Sequence, residues 1–208
     1  MKKTLALSLA AVLLVTAPLS HAQFGNLLGA VKGGSASSGG TDLSGQQDQL
    51  TRSYVAAGKE VVTANGHLFA ALGINAQSVN ASATADSLSA KDIEAQDKAI
   101  SADAAALSEA LKSGATLKDG EAKTRYAQGL LHLALGVKKY TNMSKDVQGF
   151  SSSVASASPL QLPGLQSGIY VVKSLPTNVS NLGTVLKSAV EFARSNGVEV
   201  PKDATSLI

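Results

Sequence analysis

The chain has 208 residues, of which 44% are apolar, but 33 of these are alanine and only eight residues are aromatic, so large core-filling side chains are fewer than the total suggests. The absence of cysteine excludes a disulfide scaffold, a thiolate metal site, thioether-attached haem and a cysteine nucleophile. Eighteen basic against 15 acidic residues leave a net charge of +3, too balanced for a nucleic-acid-binding surface, and the length fits one domain or at most two.

Residues 1–22 read as a cleaved bacterial signal peptide. Lys2 and Lys3 form the basic region, Leu5 to Val15 the apolar region, and Ser20 and Ala22 frame a cut between Ala22 and Gln23. The uncharged stretch from Thr4 to Ala17 is shorter than the ~20 residues of a membrane-spanning helix. Lipid attachment after such a signal needs a cysteine, which the chain lacks. The expected destination is the periplasm or the outside of the cell. Cleavage removes two lysines and no acid, so the mature chain carries about +1.

Residues 23–45 read as a flexible leader. A short apolar patch, Phe24, Leu27, Leu28 and Val31, precedes residues 33–40, which are all Gly, Ser or Ala and cannot bury enough surface to offset their ordering entropy.

A helical bundle domain is expected over residues 46–197. Leu50, Tyr54, Ala57, Val61, Ala64, Leu68 and Ala71 alternate spacings of four and three, which puts them on one helical stripe, with Gly73 as its C-terminal cap. A second helix is expected within residues 75–114, on Ile93, Ile100, Ala104, Leu107 and Leu111, with Ser89 as an N-cap three residues before Asp92 and Gly114 at its end. Asp86 and Asp97 fall on this stripe. A buried unpaired carboxylate is costly, so the sequence predicts a break near Asp86 and a bundle edge at Asp97.

The third stretch, residues 119–158, carries the rhythm through Tyr126, Leu130, Leu133, Val137, Tyr140, Ser144, Val147, Ser151 and Val154, with Asp119 and Glu121 in the first turn and Pro159 and Pro163 beyond it. A fourth stripe, Leu165, Ile169, Val172, Pro176, Val179, Gly183, Leu186, Val190 and Ala193, predicts a helix with a kink or short break at Pro176 that ends at Asn196 and Gly197. Residues 198–208 read as an extended tail.

Four helical segments with short links predict an all-α fold: an elongated antiparallel four-helix bundle, up-down-up-down, with coiled-coil-like seams and a disordered leader. Gly129 and Gly136, one heptad apart, would let helices approach closely.

No zinc-protease, serine-hydrolase, Ser-x-x-Lys, phosphate-loop or calcium-loop signature occurs. No residue is therefore assigned a catalytic, cofactor-binding or metal-ligating role, and no cofactor is expected. His67 and His132, on first and third helices expected to be parallel, are offset by ~16 Å along the bundle, too far to share a metal. Met143 lies about as deep in its helix as His67 does, which makes a His/Met haem pair the one cofactor geometry to test. The sequons at Asn80, Asn142 and Asn178 occur at about chance frequency.

The sequence thus points to a non-enzymatic exported bacterial helical-bundle protein acting by binding or assembly in the cell envelope or outside the cell, with a protein partner or self-association and no nucleic acid. Two alternatives are a membrane-interacting or pore-forming helical protein and a carrier of a small apolar ligand in the bundle core.

Overall fold

The computed structural model describes residues 42–76 and 89–208. The signal peptide, nearly all of the leader, Asn80 and Asp86 lie outside the described residues. Those described are helical with no strand among them.

Helix α1, Leu43–Leu72, opens on Asp42, whose carboxylate accepts from the Gly45 N–H at 2.9 Å, and closes on Gly73 in the left-handed region at φ 72. It takes in the last three residues of the expected leader. Its whole predicted stripe, Leu50 to Ala71, is buried. Helix α2, Ala90–Lys112, is capped by Ser89, which accepts from the Asp92 N–H at 3.2 Å. Helix α3, Gly120–Asn142, is capped by Asp119, which accepts from the Ala122 N–H at 2.8 Å.

The third expected helix is divided. At Met143 the chain tightens, with its N–H on the Tyr140 carbonyl at 3.2 Å, and α4, Ser144–Ala155, follows. The break moves the buried face back by one residue: Met143 and Phe150 are buried where the unbroken register would have buried Ser144 and Ser151, both of which are exposed. A 3₁₀ turn, Leu162–Leu165, leads into α5, Gln166–Ser195, which runs through Pro176 as one helix. Its first half buries Gly168, Val171 and Leu175, one residue off the predicted stripe, and this leaves Pro176 exposed, outside the core.

The C-terminal residues are no extended tail. Val198 donates to the Ala193 carbonyl at 2.9 Å, Pro201 starts the one-turn helix α6, Lys202–Thr205, and Val198 and Ala204 are buried in the core.

The helix directions also differ from the up-down-up-down expectation. A Cβ at Gly129 would meet Leu68, one at Gly136 would meet Val61, and the Tyr54 ring meets the Tyr140 ring edge-on at 4.9 Å, so α1 and α3 are antiparallel. Tyr54 bonds Asp97 and Asn65 bonds Asp103, so α1 and α2 run the same way. Gln47 bonds Gly168 and Asn178 bonds Tyr54, so α5 runs with them as well. The order is up, up, down, up. The physical reason is that a four-three stripe fixes which face of a helix is buried and not which way it runs; the directions are set by the Tyr54–Asp97, Asn65–Asp103 and Gln47–Gly168 hydrogen bonds and by the close approach of α1 and α3.

The glycine expectation holds. A Cβ at Gly129 would lie 2.6 Å from Leu68 Cγ and 3.0 Å from its backbone nitrogen; at Gly136 it would lie 2.7 Å from Val61 Cγ2 and 3.3 Å from the Ala57 carbonyl oxygen. The small residues of the α1–α3 seam bring the two backbones together and leave no room for a ligand between them. Tyr126, fully buried, ties α3 to α5 by donating to the Ala189 carbonyl at 3.2 Å.

Candidate functional site

Polar side chains concentrate where α2 meets α1 and α5. Asp97 sits on the apolar stripe of α2 between Ile93 and Ile100, and the directions of α1 and α5 place it inside the bundle, 5% exposed, instead of at an edge. Burial of its charge is made tolerable by donors. Tyr54 donates to Asp97 Oδ2 at 2.6 Å from α1, Tyr170 donates to the same oxygen at 3.0 Å from α5, and the Asn178 amide donates to the Tyr54 hydroxyl. The result is a relay, Asn178 to Tyr54 to Asp97, that joins three helices.

The compensation is incomplete. Asp97 Oδ1, Gln96 Nε2 and Thr51 Oγ1 are buried with no hydrogen-bond partner among the described residues. Burial therefore pushes the Asp97 carboxyl above the usual carboxylate range, against the pull of the Tyr54, Tyr170 and Asn178 donors. Burial likewise raises the Tyr54 hydroxyl far above its ordinary value, and that of Tyr170 is pushed up to about 12 by burial. The two tyrosine hydroxyls stay protonated through the neutral range and serve as fixed donors to Asp97.

Above this network, α2 and α5 leave an open groove of about 280 Å³. Ile100, Ala104, Leu182 and Val185 give it an apolar floor, while Ser101, Ser108, Asn181 and Thr184 supply hydroxyl and amide groups. Asn178 belongs to both the groove and the network, so anything in the groove sits one side chain from Tyr54 and Asp97.

The histidines lie elsewhere, and not as expected. Because α1 and α3 are antiparallel, His67 and His132 are brought together, their rings stacked with centroids 5.7 Å apart and planes 10° apart. The lone pairs of nearly parallel rings do not converge on one point, and among the described residues no group of three or more His, Asp or Glu could hold a metal ion. His132 Nδ1 meets Glu60 Oε2 at 2.8 Å, and Lys139 Nζ meets Glu60 Oε1 at 2.7 Å. Burial of Glu60 acts upward, but the Lys139 and His132 contacts outweigh it and hold the carboxyl below its usual range. His67 is lowered by burial, then by the charges of His132 and Arg125.

The His67/Met143 pairing fails for the same topological reason. Leu68 packs over Gly129, whereas Met143 lies one turn beyond Tyr140, the partner of Tyr54. That places Met143 ~20 Å along the bundle from the turn of His67. Of the two described sequons, Asn142 is exposed, but Asn178 is committed to the Tyr54 hydroxyl. The sequence signal that marked this site was Asp97 itself, an acid on an apolar stripe; Asn178 carried none beyond its sequon. Comparison with protein-family models, curated proteins and solved structures returned no match.

Proposed function

We propose that the chain is an exported, non-enzymatic helical bundle that acts by binding a protein partner, with the α2–α5 groove as the binding face. The observation that carries this reading is the chemistry of the groove. Its lining offers methyl, hydroxyl and amide groups but no titratable side chain. Such a surface orients a ligand through hydrogen bonds and apolar contact, yet its lining has no acid or base to move a proton or to activate its hydroxyls as nucleophiles. At about 280 Å³ it fits one or two side chains of an uncharged segment, not a cofactor. A carrier role in the core gains no support, because the alanines and glycines that suggested room are used for close helix approach.

Export rests on the basic and apolar regions of residues 1–22, and the mature chain is expected to begin at Gln23. Two measurements test the reading. Mass spectrometry of protein recovered from the expressing bacterium should find Gln23 at the N-terminus; a retained Met1 overturns export. Ala105 lines the groove and is exposed, so Ala105→Arg blocks the groove without disturbing the core. Crosslinking of the tagged protein in the cell envelope should give a specific adduct that Ala105→Arg removes. An unchanged adduct refutes the groove as the binding face.

A further inference from the structure

Helix α2 is seated on its neighbours largely through polar groups. Half of its six buried residues, Gln96, Asp97 and Asp103, carry a carboxyl or an amide, whereas none of the eight buried in α3 or the nine buried in α5 does. Its apolar contribution is Ile93, Ile100 and Leu107, one per heptad. Carboxyls and amides exchange protein partners for water at small net cost when a surface opens, so these three apolar side chains carry most of the free energy that seats the helix.

The other helices hold together without it. The α1–α3 seam is a close approach at Gly129 and Gly136. Tyr126 joins α3 to α5 through the Ala189 carbonyl and through the Phe192 ring, whose centroid is 5.2 Å away. Gln47 joins α1 to α5, donating to the Gly164 carbonyl at 3.0 Å and accepting from the Gly168 N–H at 3.1 Å. None of these contacts includes a residue of α2. Just past the C-terminus of α2, Gly114 lies in the left-handed region at φ 82 with nothing within 4 Å of an added Cβ, so the chain can change direction there without collision.

Asp97 makes the seat sensitive to protonation. Facing it are the hydroxyls of Tyr54 from α1, Tyr140 from α3 and Tyr170 from α5, while Glu94 on α2 itself acts on Tyr170. Among the described residues no Lys, Arg or His acts on Asp97, so its charge inside the bundle meets donors but no counter-ion. Burial raises the carboxyl above its ordinary value of 3.8 while the helix is docked; on an undocked helix it returns to water and to that ordinary value. The docked state therefore binds the Asp97 proton more tightly, and rising pH favours release until the docked value is passed.

We propose that α2 is a releasable helix: it undocks from α1 and α5 as a unit while the rest of the bundle stays folded, and ionisation of Asp97 sets how often it does so. Because α2 forms one wall of the α2–α5 groove, release dismantles the groove, and a partner held there opposes release. That consequence rests on the groove being the binding face; release itself does not.

Native-state hydrogen exchange of the full chain, followed by peptide mass spectrometry in sub-denaturing urea, reads the opening of each helix. After correction for intrinsic rates, the α2 amides should exchange about tenfold or more faster than the slowest amides of α1 and α3, with a weaker dependence on urea. From about pH 4 to pH 8 the opening of α2 should increase and then level off, and Asp97→Asn should remove that increase. Val198→Ala, in the buried C-terminal segment beyond α5, should speed exchange in α1 and α3 but leave that of α2 unchanged, because its side chain is buried in the docked and released states alike. A common rate and urea dependence for all the helices overturns the proposal. So does an α2 that Val198→Ala speeds as much as α1, or a pH-dependent opening that survives in Asp97→Asn. All of these readouts use the protein without a partner, so they stand whether or not the groove binds one.

Discussion

Gly129→Ala tests whether the α1–α3 seam is set by backbone proximity. In an open helical position alanine is favoured over glycine by about 1 kcal/mol. Gly149, inside α4 with nothing within 4 Å of its added Cβ, supplies that reference. At Gly129 the same methyl would sit 2.6 Å from Leu68 Cγ, 2.8 Å from its Cδ2 and 3.0 Å from its backbone nitrogen. Leu68 is fully buried and has no free volume to retreat into, and the nitrogen moves only if α1 moves. Overpacking of this kind costs about 1–3 kcal/mol. Gly149→Ala should therefore raise stability by about 1 kcal/mol, and Gly129→Ala should fall below it by about 1–3 kcal/mol. Urea unfolding followed by far-ultraviolet circular dichroism measures both, with Tm differences of about 2–4 °C per kcal/mol. Leu68→Ala should cost less in the Gly129→Ala background than alone, because it removes the two side-chain clashes. If the two alanine variants are equally stable, the helices are not held at contact distance by these glycines.

Thr51→Val removes a buried hydroxyl that has no partner among the described residues and keeps its shape, so stability should stay level or rise by up to about 1 kcal/mol; a clear loss would show that the hydroxyl is bonded. Tyr54→Phe deletes the donor to Asp97 and the acceptor for Asn178 together and should cost about 2–4 kcal/mol, while Tyr170→Phe, at a half-buried position, should cost about 1 kcal/mol; the reverse order in urea unfolding would refute the relay. The Asp97 carboxyl is raised by burial, so the folded state binds its proton more tightly than the unfolded chain, for which the ordinary value is 3.8. Its contribution to stability should fall as pH rises from 3.8 through the folded value, and Asp97→Asn should abolish that component of the pH profile. His67 is lowered by burial and by its cationic neighbours, so its contribution is present above the ordinary value of 6.5 and lost as pH falls through the folded value. Imidazole titration by NMR should place His67 below 6.5, and a value above 6.5 would refute the stacked pair.

The stripe on α1 was legible because every one of its seven positions is buried, and the caps at Asp42, Ser89 and Asp119 sit where short polar side chains meet an apolar rhythm. Of these caps, the spacing from Ser89 to Asp92 was visible in advance. Direction was not legible. A four-three stripe looks the same whether its helix runs up or down. Taking each helix to reverse the one before it set an alternating order, and that single assumption put α2, α3 and α5 opposite to their actual directions relative to α1. The wrong separation for His67 and His132 and the wrong level for Met143 both follow from it. The local slips at Met143 and in the first half of α5 have another origin: small residues flank each stripe there, so a one-residue rotation exchanges Ser144 for Met143 and Ile169 for Gly168 at little apparent cost to the pattern.

Asp97 shows how far the candidate site could be read. The pattern put an acid on the apolar face, and desolvation cost alone moved it to an edge. What the pattern lacks is the knowledge that Tyr54, Tyr170 and Asn178, separated in sequence by 43, 73 and more residues, converge on it. The same convergence distinguishes the two seams of the bundle. The α1–α3 seam is close and built on glycine, while α2 is held by buried Asp97, Gln96 and Asp103, with Asp97 Oδ1 and Gln96 Nε2 finding no hydrogen-bond partner among the described residues. Apolar burial is non-directional and tolerates small shifts, whereas a buried carboxylate accepts only the geometry that keeps its donors in reach. The polar seam thus fixes the placement of α2 against α5, and with it the width of the groove they share. A role for Asp97 in binding would accordingly run through groove shape, with Asn178 as the link, and not through chemistry on the ligand.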